Sequence, residues 1–116
     1  MDDCVFCKII EGAIPSKKVF ENEDLVAFED LNPVAPVHLL LVPKKHFPNL
    51  YEMSSTAQGL EALTRVYQGL PDIVRACGLE ADGFRLINNC GENAGQTVMH
   101  VHFHLIGGIP LGPRII

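Results

Sequence analysis

A chain of 116 residues with 47% hydrophobic content is long enough for one domain around one core and too short for several. Its formal net charge of -5 argues against nucleic acid as a partner, because Lys and Arg neutralising phosphates supply most of that affinity. A small anionic molecule stays open, since a nest of backbone N–H groups binds phosphate whatever the overall charge.

In chain order, "MDDCVFCKII" is acidic and lacks the basic and apolar regions of a signal peptide, and no apolar run reaches the about 20 residues that span a bilayer. A cytoplasmic protein without membrane contact is therefore expected, with its four cysteines reduced. Cys4 and Cys7 form a C-x-x-C pair, either half of a tetrahedral metal site or two buried thiols. Cys77 and Cys90 stand alone and read as structural.

Residues 19–21 and 25–29 flank the turn signal Asn22-Glu23-Asp24 and predict a hairpin. "DLNPVAP" is a loop, and "VHLLLVP" (37–43) an apolar strand stopped by Pro43. Ser54 or Ser55 then opens a helix, with Ser55 and Gln58 as a capping box. Leu60, Leu63, Tyr67, Leu70, Val74 and Cys77 recur at steps of three or four as its buried face, and Gly78 caps its end. Pro71 inside the pattern predicts a kink rather than a break. "FRLINN" (84–89) and "VMHVHFHLI" (98–106) are two more strands, and "GGIPLGPRII" an irregular apolar tail that can dock on something. The sum is a single α+β domain, residues 1–116, with about five strands and one long helix.

Three of the five histidines, His100, His102 and His104, alternate along the last strand. Period two puts them on one face, with Met99, Val101, Phe103 and Leu105 on the other, core-facing side. Outer positions about 13 Å apart make a shared three-histidine metal site strained. Imidazoles suit phosphorus chemistry better: a neutral ring attacks, a protonated ring feeds the leaving group. The preceding "NAGQT" offers Gly95, the Gln96 amide, the Thr97 hydroxyl and backbone N–H groups to phosphate oxygens, or is an ordinary connection.

"HVHFHLI" fits the His-φ-His-φ-His-φ-φ signature (φ apolar) and resembles the histidine triad (HIT) superfamily. The likeness extends through "CVFCKIIEGAIPSKKVFENEDLVAFED", "PVHLLLVPKKH", "LINNCGENAGQTVMHVHFHLIGG" and "PLGPRII", and looks like the bacterial form of the purine nucleoside phosphoramidase (Hint-like) branch. It implies a five-stranded antiparallel sheet with one long helix and a short N-terminal helix, two such sheets joining in a homodimer. The activity it implies is hydrolysis of the P–N bond in AMP or GMP phosphoramidates. By the same likeness His102 is the nucleophile, His104 bonds the phosphate and bridging atom, and His38 supports His100 and the site. Asn89, Gln96 and Thr97 match residues near the α-phosphate, Thr97 standing where this branch commonly has Ser. Asp30 matches the contact to ribose, with Leu31 and Phe28 as walls of a purine pocket. Read alone, His38 is a satisfied sheet histidine and Asp30 a turn residue. The likeness also completes a structural zinc site, not essential to the chemistry, from Cys4, Cys7, His46 and His100; His46 alone would be a surface histidine. Alternatives are a dinucleoside polyphosphate hydrolase or nucleotidyl transferase using the same histidine, or a nucleotide-binding module with incidental turnover.

Overall fold

The computed structural model describes residues 3–116. A short helix α1 (Val5–Glu11) begins at Cys4, whose Sγ accepts the Cys7 N–H at 3.3 Å, and ends at Gly12, where φ is +85°. The hairpin of β1 (Lys18–Glu21) and β2 (Leu25–Glu29) turns as expected, because Asn22 Oδ1 accepts the N–H groups of Asp24 and Leu25 at 2.8 and 2.9 Å. Strand β3 (Val37–Pro43) follows, then a one-turn helix α2 (Leu50–Met53) that the sequence pattern does not reveal. The long helix α3 (Ala57–Ala76) leads to β4 (Phe84–Ile87) and β5 (Phe103–Gly107). All pairings are antiparallel, in the order β1-β2-β3-β5-β4.

Strand β3 sits at the centre of this sheet, so both its faces are covered and its sequence is a near-continuous apolar run. Leu39 and Leu41 pack toward α3 with Leu25, Ala27, Val101, Phe103 and Leu105. Val42, with Leu40 beside it, packs on the other face with Val26, Phe28 and the α1 residues Phe6 and Ile9.

Four expectations give way here. The N-cap of α3 is Thr56, whose Oγ1 accepts the Gly59 N–H at 3.0 Å; Ser54 instead closes α2, and the Ser55 hydroxyl donates to Tyr51 O. The buried face of α3 is rotated from the predicted one. It runs through Gly59, Val66, Gly69, Ile73 and Val74, whereas Leu60 and Tyr67 are about half exposed, at 50% and 47%. The cause is close approach: a Cβ on Gly59 would lie 1.7 Å from Met53 O, and one on Gly69 2.9 Å from Leu25 Cδ2. The helix nestles along its glycines, and large side chains flank the contact. Strand β4 stops two residues early, and β5 starts at Phe103, not at 98. The Val101 N–H goes to Phe47 O at 2.9 Å and His100 N–H to Val98 O, which curls residues 98–102 out of the ladder. Met99 is accordingly half exposed rather than core.

The helix continues through Pro71 without a break. It ends in a Schellman arrangement, with Gly78 at φ +70° one position beyond Cys77 and the N–H groups of Gly78 and Leu79 bonded to Arg75 O and Val74 O. The tail is irregular, held at Gly112 O by the Arg85 guanidinium at 2.7 Å.

Gly59 supports a stability prediction. Helix propensity alone would let Gly59→Ala gain up to about 1 kcal/mol. A methyl group pressed on a backbone carbonyl has no side chain to push aside, so overpacking outweighs that gain, at a net cost of about 2 kcal/mol. Thermal denaturation should show a Tm fall on the order of 8 °C; an unchanged or raised Tm would show that α2 yields freely.

Candidate functional site

The bend at 98–102 divides the histidine row. His100 is fully buried and turns toward α1, while His102 and His104 remain neighbours with ring centroids 5.4 Å apart. Around His100, the ligand atoms of Cys4, Cys7, His46 and His100 all lie within 4.8 Å of one another. Cys4 Sγ and Cys7 Sγ are 3.3 and 3.6 Å from His100 Nδ1, Cys7 Sγ is 3.4 Å from His46 Nδ1, and the two Nδ1 atoms are 3.0 Å apart. A tetrahedron with zinc-like bond lengths has edges of about 3.4 Å between nitrogens and 3.5 Å between nitrogen and sulfur, so this set fits a cation within a few tenths of an ångström.

Ring wiring supports the same use. His100 Nε2 is 2.7 Å from Pro43 O; a carbonyl only accepts, so the proton sits on Nε2 and the Nδ1 lone pair faces the sulfurs. Burial pushes His100 down to about 4, aided by the nearby His46 and His102, and burial also lowers His46. Both shifts favour the neutral imidazole that ligation requires. Burial first, then Cys4, pushes the Cys7 thiol up to about 11, a penalty on the thiolate that a divalent cation would reverse.

The second half of the site is wired differently. His102 Nδ1 lies 2.9 Å from His100 O and so carries a proton, which makes Nε2 the nitrogen open to a lone-pair role. His38, on β3, places Nε2 2.9 Å from His104 Nδ1 and 3.4 Å from Asp30 Oδ2. His38 is expected to support His100 and the site; its ring bond goes to His104 rather than to His100. Burial holds His104 below the usual imidazole range, with the charges of His102 and His38 adding and Asp30 opposing. Asp30, His38 and His104 also bring ligand atoms within 4.8 Å of one another. They do not suit a metal, because the Val34 N–H donates to His38 Nδ1 at 3.1 Å and the ring proton therefore occupies the Nε2 that a cation would need.

The loop before the histidines departs from expectation at Gln96. Its buried carboxamide donates to Pro48 O at 2.7 Å and Val98 O at 3.0 Å and accepts Gly91 N–H at 2.8 Å, while its own N–H goes to Gly91 O. Every donor is spent, so Gln96 braces the loop instead of offering an amide to phosphate. Asn89 donates to Ala94 O at 2.6 Å and keeps its Oδ1. Gly95 takes φ +87° after a short 3-10 turn, and Thr97 is exposed. Phe28 is buried edge-to-face against Phe6, 5.8 Å between centroids, whereas Leu31 is 95% exposed on the loop beyond Asp30.

Some contributors carry no sequence signal of their own. Phe6 of α1 places its ring edge-to-face on His102 at 5.0 Å, and only the burial expected between two cysteines could have pointed to it. Asn88 Nδ2 donates to His102 O at 2.9 Å, replacing a ladder bond where β4 ends. The accepting carbonyls of Pro43 and His100 belong to the backbone, which motif reading does not see.

Comparison with known proteins adds the following. The HIT domain family model matches residues 11–111. Protein HitA of Neisseria gonorrhoeae is 44% identical over 107 residues, covering 92% of this chain and 97% of its own. The purine nucleoside phosphoramidase of Escherichia coli K12 is 39% identical over 114 residues, 98% of this chain and 94% of its own. Among solved structures, a HIT family hydrolase from Clostridium thermocellum superposes with a TM-score of 0.93 at 41% identity, covering 100% of this chain and 99% of that one.

Proposed function

The chain belongs to the HIT domain family, and on that premise we infer that it is a hydrolase of purine nucleoside 5'-monophosphoramidates acting through His102. The observation that carries the reading is the His102 hydrogen bond: with Nδ1–H held by His100 O, Nε2 is the nitrogen at which the ring can offer a lone pair as nucleophile.

In this mechanism His102 Nε2 attacks the α-phosphorus, forming a P–N bond to the ring while the substrate P–N bond breaks. His104, with Nδ1 occupied by His38, gives its Nε2 proton to the departing amine. Water then attacks the phosphorus, returns a proton to His104 Nε2 and breaks the bond to His102, releasing the nucleoside 5'-monophosphate and restoring both rings. Gly95, Thr97 and the Asn89 carboxamide border the place of the phosphate, and Asp30, Leu31 and Phe28 that of the nucleoside.

Cys4, Cys7, His46 and His100 would hold zinc as a structural ion. Four protein ligands leave no open position, so its chemistry is a tether from α1 to the histidines rather than Lewis-acid activation. A homodimer joined along α3 is supported by the half-exposed Leu60 and Tyr67 on its outer side, and the exposed tail residues Ile115 and Ile116 suit contact with a partner. Among the described residues no helix is long and apolar enough to cross a membrane, and reduced thiols suit the cytoplasm.

The test is a steady-state comparison of adenosine 5'-monophosphoramidate with diadenosine tetraphosphate. The phosphoramidate should give a kcat/KM about a hundredfold higher or more, about 3 kcal/mol of discrimination. Preference for the tetraphosphate would move the chain to the polyphosphate-cleaving reading, and turnover of neither to a binding module.

A further inference from the structure

We propose that the backbone amide of Val34 is a positioning group for the reaction: by occupying His38 Nδ1 it determines, through His38, which nitrogen of His104 carries the deliverable proton. The inference rests on the reading of His104 as donor to the leaving amine.

Two neighbouring neutral imidazoles can share one hydrogen bond in two ways. His38 Nε2–H can donate to His104 Nδ1, which leaves the His104 proton on Nε2, free for the substrate. Alternatively His104 Nδ1–H donates to His38 Nε2, and His104 then presents only a lone pair. That second form cannot protonate anything. The distance of 2.9 Å between the two nitrogens fits both.

The loop 30–36 breaks this tie. An amide N–H can only donate, so the Val34 N–H at 3.1 Å requires a lone pair on His38 Nδ1 and hence a proton on Nε2. The swapped form would set N–H against N–H at this buried ring, disfavouring it by about tenfold or more. Asp30 adds to the preference from the other side. Its Oδ2, 3.4 Å from His38 Nε2, meets a proton in the first form and a lone pair in the second. Asp30 is itself oriented within the loop, since its Oδ1 accepts the Asn32 N–H at 2.7 Å. Pro33 and Pro36 bracket Val34 and limit the loop's freedom, so the stretch "DLNPVAP" holds a carboxylate and an amide in fixed relation to one ring. The Val34 amide lies outside the three histidines of the motif and acts through His38.

Ring nitrogen NMR on the full chain, at a pH where these imidazoles are neutral, tests the wiring without any substrate. Nε2–H tautomers are expected for both His38 and His104. Val34→Pro removes the donor and should shift His38 toward a mixture, with kcat for the phosphoramidate falling about tenfold and KM staying within about twofold. Val34→Ala keeps the amide and should keep the wild-type tautomers. An Nδ1–H His38 in the wild type overturns the proposal even if Val34→Pro fails to fold, and so does a Val34→Pro protein with shifted tautomers and unchanged kcat. If the wild type shows the expected tautomers but never turns over a phosphoramidate, the functional reading fails and the wiring stands.

Discussion

His102→Ala is expected to lower kcat/KM for adenosine 5'-monophosphoramidate by about ten-thousandfold, while the affinity for AMP changes by no more than about threefold. The size follows from what the ring supplies. Loss of the nucleophile forces direct attack by water, which is neither held in line nor relieved of its proton, and about 5 kcal/mol of barrier returns. Binding should survive because the groups proposed to border the nucleotide lie on other elements: Asn89 past β4, Gly95 and Thr97 in the loop, and Asp30 past β2. Folding should also survive. His102 is buried at 7% exposure but donates one hydrogen bond, to its neighbour's carbonyl, and Phe6 loses only an edge-to-face partner. Rapid quenching with labelled substrate should trap a protein-bound nucleotide in the wild type and none in the variant. Undiminished turnover by His102→Ala would remove the covalent mechanism, whatever the substrate.

Much of the fold is legible in the sequence because its signals are local. Asn22 closes the β1–β2 hairpin and Gly78 stops α3, each through bonds within a few residues, and Pro43, which has no N–H to donate, is the last residue of β3. What escapes are features decided by distant contacts. Three cap-forming residues, Ser54, Ser55 and Thr56, stand in a row, and the choice of Thr56 depends on how closely α3 lies on the Met53 carbonyl. A hydrophobicity pattern ranks Leu60 above Gly59, yet it is the glycine that permits the contact. Period two along "HVHFH" predicts one face and one task. The Val101 N–H bond to Phe47 O, across a separation of 54 residues, turns His100 away from that face. Gln96 was expected at the phosphate on the strength of its place in the loop. Its chemistry as an amide is real, but the carbonyls of Pro48 and Val98 claim it, and neither is visible in a motif. The pairing of His38 with His104 depends in the same way on β3 lying beside β5, with Leu40 opposite His104 and His38 opposite Ile106.

The second large effect concerns the cysteines. Purified wild-type protein should carry about one zinc per chain, and Cys4→Ser close to none. A ligand at a thousand times its dissociation constant stabilises the folded state by about 4 kcal/mol, so the variant's Tm should fall on the order of 15 °C. Serine is the right replacement because it isolates the metal. Cys4 Sγ also caps α1 by accepting the Cys7 N–H, and a serine hydroxyl is a strong N-cap, so the helix start is preserved while the thiolate is lost. A chelator should therefore lower the wild-type Tm by a similar amount and leave Cys4→Ser unmoved. Wild-type protein without metal, or a chelator that shifts both proteins equally, would leave the four side chains as a partly buried polar cluster and nothing more. The site's chemistry should follow its mechanics. Phe6 lies between the two cysteines and rests on His102 and Phe28, so releasing α1 should loosen the wall proposed for the nucleoside while the His102 bond to His100 O persists. Zinc loss is thus expected to raise KM several-fold and to leave kcat within about threefold, the division that separates a tether from a Lewis acid.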